Sequence, residues 1–158
     1  MKKFFGRIML FFFFLFFIGL SQVYATDIIG KWTNTIKNDE FAFSEIKIIT
    51  EFHENGIFER HSKGTFISGD QKAEYNIIEK SKWYIEDGYL YSEILDTHLE
   101  DLTGDSSLIE IIKLYYKEGF KQGSLTRNKI MELSGDKLIL LIEYEDGEND
   151  RAVLTKLN

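Results

Sequence analysis

The chain has 158 residues, with 26 acidic against 19 basic side chains for a formal net charge of −7, and it contains neither cysteine nor proline. Thiol nucleophiles, thiolate metal sites, disulfides and a lipid-modified cysteine are therefore excluded, and the acidic balance disfavours nucleic acid and anionic lipid through simple repulsion. A hydrophobic share of 44% in a chain of this length suits one domain with one core.

Residues 1–25 read as a removable export signal. Lys2, Lys3 and Arg7 form a basic leader, and Ile8 to Leu20 is a phenylalanine-rich apolar run of 13 residues. Val23-Tyr24-Ala25 then supplies a small-residue cleavage site after Ala25. The apolar run is shorter than the roughly 20 residues a membrane-spanning helix needs, so stable insertion after cleavage is not expected. The expectation is a periplasmic or secreted protein of residues 26–158. Loss of the three basic residues takes its formal charge from −7 to −10.

From Ile28 onward, short runs rich in isoleucine, tyrosine, phenylalanine and leucine alternate with Asn-Gly, Asp-Gly and Gly-Asp turns, the pattern of antiparallel strands with tight connections. Strands are predicted near 29–35, 45–53, 57–67, 73–85, 89–95, 125–133, 137–145 and 151–157. Eight strands in meander order within one small domain suggest an all-β, antiparallel up-and-down barrel, because closure removes exposed edges.

The hairpin EFHENGIFER tests register. A two-residue Asn55-Gly56 turn would put Phe52 and Phe58 on opposite faces. A three-residue loop of Glu54, Asn55 and a left-handed Gly56 pairs Phe52 with Phe58 and gathers both with Ile46 and Ile48. The second gives one coherent apolar face and is preferred. It also places Thr50 opposite Arg60 on that face, so Arg60 either points inward or snorkels to water from the strand end. In KWYIEDGYLYSEIL both faces carry aromatic surface: Trp83, Ile85, Tyr89 and Tyr91 group by position, as do Tyr84, Leu90 and Ile94. The inner face is not decided there.

Residues 96–124 form an insertion longer than ordinary connections. Within it, SSLIEIIKLYYKEGF places Ser107 three residues before Glu110 as a capping box, then Leu108, Ile111, Ile112 and Tyr115 at helical spacing, with Gly119 placed to stop. A helix near 107–119 is expected, either a lid across an open barrel end or a packing helix over exposed sheet.

The export signal, IGKWT with Gly30 and Trp32 at the first strand, FHENGIF, GTF at Gly64 to Phe66, KWYIEDGYLY and the closing MELSGDKLILLIEYEDG with RAVLTKLN together resemble the small bacterial lipocalin-like domains. The resemblance covers the mature chain except 96–124. It implies an eight-stranded barrel able to hold a small apolar molecule, with Gly30 and Trp32 as a structural motif closing one end. It also implies a cation packed over the Trp32 ring, and either Lys156 or Arg151 matches that position. Lipocalin-like folds also serve as inhibitors and protein-binding modules, so fold alone leaves function open.

Catalytic material is thin. His53 and His61 fall on the face away from Phe52, His98 sits in the acidic stretch DTHLEDLTGD, and no serine lies in a nucleophile-elbow pattern. No metal, cofactor or enzymatic activity is expected. The leading expectation is a non-catalytic exported binding protein whose barrel interior, lined by Ile48, Phe52, Phe58, Arg60, Trp83 and Tyr91, takes a small apolar or amphipathic ligand. The alternative is an inhibitor or immunity-type protein that binds a basic protein partner through its acidic loop surface.

Overall fold

The computed structural model describes residues 26–38, 43–144 and 147–158. The predicted signal of residues 1–25 lies outside the described residues. The strands are β1 (Gly30–Asn38), β2 (Phe43–Phe52), β3 (Ile57–Ser68), β4 (Gln71–Glu86), β5 (Tyr89–Gly104), β6 (Leu125–Leu133), β7 (Lys137–Glu143) and β8 (Asn149–Lys156). One helix, α1 (Ser106–Gly119), joins β5 to β6. Each strand pairs antiparallel with the next and β8 returns to β1, giving a closed eight-stranded up-and-down barrel. This architecture is consistent with a lipocalin-like fold.

The first hairpin has the preferred register. Phe52 pairs with Phe58 and Thr50 with Arg60, and Gly56 closes the loop with φ of 74°. Phe52 packs edge-on against both Phe58 and Trp83, each at 5.4 Å between ring centroids. These rings join Ile28, Trp32, Leu90, Leu138, Leu140 and Leu154 in one buried cluster at the barrel base. Alternation along each strand delivers this inward set, while Ile139, between inward Leu138 and Leu140, is buried as well.

The second hairpin resolves the undecided face. Its connection is the two-residue turn Asp87-Gly88, both with positive φ (50° and 78°), so Glu86 pairs with Tyr89 and Tyr84 with Tyr91. Across a two-residue turn an odd position faces an even one. Trp83 and Ile85 therefore share the inner face with Leu90 and Ile94, whereas Tyr84, Tyr89 and Tyr91 lie outside. Grouping Trp83 with Tyr91 by position alone is thereby corrected.

The predicted end of the fifth strand is also corrected. β5 continues past Leu95 to Gly104, and β4 with β5 form a pair of 16-residue strands, so the segment outside the sheet is 105–124 and not 96–124. A register shift lies between the Ser81–Ile94 and Lys80–Asp96 pairs, leaving Leu95 as the extra residue. Beyond it Thr97 and Leu99 point inward between outward Asp96, His98 and Glu100. That phase change hides the strand from a simple count.

Helix α1 runs where a helix is expected, but its start differs. Asp105 is the N-cap residue without a side-chain cap bond; its carboxylate instead accepts the Lys72 backbone N–H at 2.7 Å. Ser107 donates to Gln71 Oε1 at 3.3 Å, so the capping box does not form. The helix is anchored to β4 by these contacts instead. Leu108 and Ile112 pack into a second apolar cluster with Ala73, Tyr75 and Ile77, all inward residues of β4. β5 pairs with β6 only over Tyr89–Glu93, and beyond that point Leu99 and Leu102 of β5 pack against the same α1 cluster. Among the two expected roles, α1 covers the barrel mouth opposite the Trp32 base.

Candidate functional site: the barrel interior and its helix-covered mouth

The interior divides along its axis into an apolar base, a polar band and an apolar mouth. At the base, Gly30 adopts a φ of 119° as the chain enters β1, and Trp32 is fully buried. Trp32 Nε1 donates to the Ile28 carbonyl at 2.7 Å, so the indole is satisfied while its ring area stays in the core. Lys156, not Arg151, supplies the cation: its Nζ lies 5.2 Å from the Trp32 ring centroid and donates to the Asp27 carbonyl at 3.2 Å. Arg151 is exposed and pairs with Leu141 across β7 and β8.

Above the base lies the polar band. Arg60 points inward, as one of its two expected orientations requires, and ion-pairs through one terminal nitrogen with Glu79 Oε2 at 3.2 Å. Its Nε donates to Thr50 Oγ1 at 3.3 Å, and its guanidinium carbon sits 4.8 Å from the Phe58 ring centroid. Ser81 donates to the other Glu79 oxygen at 2.6 Å. Glu79 and Ser81 are buried, while the Arg60 side chain keeps 35% of its surface open. The carboxylate is thus held by two donors in a largely dry setting, and the cation reaches toward accessible space. Glu79 is not singled out by the sequence. It is reachable by register: Ser68 pairs with Gln71 across the Gly69-Asp70 turn, and counting back places position 79 opposite 60.

The mouth holds a cavity of about 290 Å³ between α1 and strands β1 to β4, lined by Ile36, Ile46, Phe66, Tyr75, Ile112 and Tyr115, with Ile111 at its rim. Gly64 makes its shape possible. A Cβ at Gly64 would overlap the ring of Tyr75, its cross-strand partner, so glycine lets that ring lie flat against β3. From Arg60 to Gly64 is four residues of strand, roughly 13 Å, which separates the polar band from the mouth.

The residues expected to line a ligand site fall into different parts of this interior. Phe52, Phe58 and Trp83 fill the base, at 2%, 1% and 8% exposure. Arg60 belongs to the polar band. Ile48 pairs with Ser62, next along β2 from Thr50 on the inward side. Tyr91 lies outside, stacked on Tyr84 at 4.8 Å. The mouth residues were not singled out as lining, because α1 brings Ile112 and Tyr115 to Ile36 and Ile46 over a distance in sequence that local patterning does not report.

Burial pushes the Tyr75 hydroxyl up from 10.0 to about 12, and the neighbouring Tyr115 phenolate adds to the shift; burial raises Tyr115 as well. An unfolded tyrosine ionises near 10, so between pH 10 and about 12 the folded state binds more protons at Tyr75. Its contribution to stability is complete below pH 10 and is lost as pH rises through about 12. Urea midpoints measured from pH 9 upward should fall steeply in that window. Tyr75→Phe should flatten the fall, and an unchanged slope would refute the assignment.

Among the described residues no three histidine or acidic side chains converge as a metal-binding group, and His98 lies beside Asp96 at 3.1 Å on the surface. No described helix is long and apolar enough to cross a membrane.

No protein-family model matches the chain, and none of the curated proteins does.

Proposed function

We propose that the protein is a non-catalytic, exported lipocalin-like binding protein that takes a small apolar or amphipathic molecule at the helix-covered mouth of its barrel. The observation that carries this reading is the apolar cavity of about 290 Å³ beneath α1, large enough to enclose part of a small hydrophobic molecule. The packed base supports placing the ligand there, since Phe52, Phe58 and Trp83 already occupy one another's surfaces. An amphipathic ligand would direct its polar end down the axis toward Arg60, whose partly open guanidinium retains N–H groups beyond the two bonded to Glu79 and Thr50.

Uptake of the fluorescent probe N-phenyl-1-naphthylamine tests the reading. Ile36 and Ile111 line the cavity yet are 46% and 51% exposed, so Ile36→Glu and Ile111→Glu place charge at the mouth without opening the core. Both should weaken saturable probe binding by about tenfold or more while leaving the urea midpoint near that of the parent protein. Absence of saturable uptake by the parent protein, or uptake unchanged in both variants, would sink the proposal.

One observation favours the second reading, a module that binds a basic protein. Leu114 and Tyr115 are exposed at 62% and 51% on α1, close in the chain to the acidic end of β5. Charge reversal at Asp96 and Glu100 separates the readings, because probe uptake should survive it and an acidic docking surface should not.

A further inference from the structure

A second cleft, of about 360 Å³, lies on the outside of the β3–β4–β5 wall and is lined by Lys63, Thr65, Glu74, Asn76, Asp101 and Thr103 over the backbone of Gly64 and Tyr75. The alternation of the strands places it outside. Lys63 and Thr65 alternate with inward Ser62, Gly64 and Phe66, and Glu74 and Asn76 with inward Ala73, Tyr75 and Ile77. A bulge in β5 shapes the cleft. Glu74 pairs with Thr103 and Asn76 with Glu100, so Asp101 and Leu102 together oppose Tyr75, and Asp101 is held at φ of 50°.

Asn76, Lys63 and Asp101 carry polar side-chain atoms in this cleft without a partner among the described residues. Asn76 is 7% exposed, and its Oδ1 is buried without any hydrogen bond. The side chains of Lys63 and Asp101 form neither an ion pair nor a hydrogen bond with any described residue, although they are opposite in charge and share one cleft. Glu74 differs, since Lys72 Nζ neutralises it at 2.7 Å. The Asn76 oxygen is sealed from solvent, so the end of the amide open to the cleft is its N–H₂ donor.

The kinds of group and their placement specify a ligand. Asp101 is an acceptor, suited to an ammonium with its three N–H donors. Lys63 pairs with Asn76 across β3 and β4, so it stands on the other side of the amide from β5. Its cation suits a carboxylate. The flanking strands are about 10 Å apart at the backbone, two inter-strand spacings, and side chains converging from them would span two opposite charges a few ångströms apart. A singly charged amine or acid would leave one of Lys63 and Asp101 unsatisfied.

We propose that this outer cleft binds a small zwitterion, a free amino acid or dipeptide, with its ammonium on Asp101 and its carboxylate on Lys63 and the Asn76 amide N–H₂. The site is independent of the mouth cavity, and its test does not depend on ligand uptake there.

Proton–nitrogen correlation NMR of the labelled protein decides the matter, with glycine, glycylglycine and an equimolar pool of the twenty amino acids as probes and methylammonium and acetate as single-charge controls. A zwitterion should shift the Asn76 side-chain amide and the backbone N–H groups of Lys63, Thr65, Asp101 and Thr103 saturably, with affinity about tenfold or more above either control. Asp101→Asn retains a residue that tolerates positive φ while removing the charge, and Lys63→Met removes the cation from an exposed position. Each should weaken binding by about tenfold, with the Trp32 and Trp83 indole signals unmoved. If none of the three zwitterionic probes gives saturable shifts in the parent protein, the proposal fails. It fails equally if methylammonium alone matches them, or if Lys63→Met binds like the parent.

Discussion

Replacing Trp32 by alanine is expected to remove about 3–5 kcal/mol of stability, the range for truncating a large buried aromatic residue, and toward its upper end. Trp32 is fully buried within the base cluster and touches the interior from the point where β1 enters. Alanine would leave a cavity beneath Phe52 and Leu154 that the surrounding closed barrel has little freedom to collapse. It would also strip the buried Ile28 carbonyl of its indole N–H donor, a loss of about 1–3 kcal/mol when an acceptor is left unpaired. Against a total of roughly 5–15 kcal/mol for a domain, this is a large fraction. Urea unfolding should show a lower midpoint with an unchanged slope, since the native fold is the same but weaker. Trp32→Phe keeps most of the apolar area and should lose about 1–3 kcal/mol, chiefly the unpaired carbonyl. Lys156→Met should cost about 1 kcal/mol or less, as a partly exposed cation over a ring does. A Trp32→Ala loss below about 1 kcal/mol would show that the Gly-x-Trp triplet does not close the base.

How far these features are legible in sequence depends on how local their determinants are. Phe52 and Phe58 could be paired because the apolar pattern and the loop length agree: only a three-residue loop puts both rings on the face of Ile46 and Ile48. The Trp83 hairpin offers no such agreement. Aromatic residues occupy both faces, and only the two positive φ values at Asp87 and Gly88 decide which set turns inward. β5 escapes beyond Leu95 because a bulge inverts its phase among charged residues, so Thr97 and Leu99 do not extend the alternation of Leu90 and Ile94. The helix was readable from its 3.6-residue period, but its start was not, since Asp105 and Ser107 spend their side chains on β4 in place of capping. The mouth cavity joins positions 36, 46, 66, 75, 112 and 115, and no local pattern relates them. Lys156 over Trp32 is likewise a product of closure, fixed once β8 pairs with β1.

Removing the Arg60 cation is expected to be the second most damaging change, and the reason lies in what it leaves behind. Glu79 has 5% of its side chain exposed and is bonded by Arg60 and Ser81. With Arg60→Met, a buried carboxylate keeps only the Ser81 hydroxyl and faces an apolar side chain where the guanidinium stood. Breaking a buried pair from one side typically costs about 3–5 kcal/mol, and the 35% exposure of Arg60 brings the expectation to the lower end, about 3 kcal/mol. The double variant Arg60→Met/Glu79→Gln should recover most of that loss, because a neutral amide can still accept from Ser81 without carrying a charge. The discriminating quantity is the coupling energy of the cycle, which should be favourable by about 2 kcal/mol or more if the pair acts as a unit in the native interior. Additive single changes would mean that water reaching Arg60 already screens the pair. The same variants bear on binding. If Arg60 receives the polar end of an amphipathic ligand, Arg60→Met should weaken an anionic amphiphile such as laurate by about tenfold and leave the uncharged N-phenyl-1-naphthylamine nearly unaffected. Equal losses for both probes would place the effect in the fold and not in a contact between the guanidinium and the ligand.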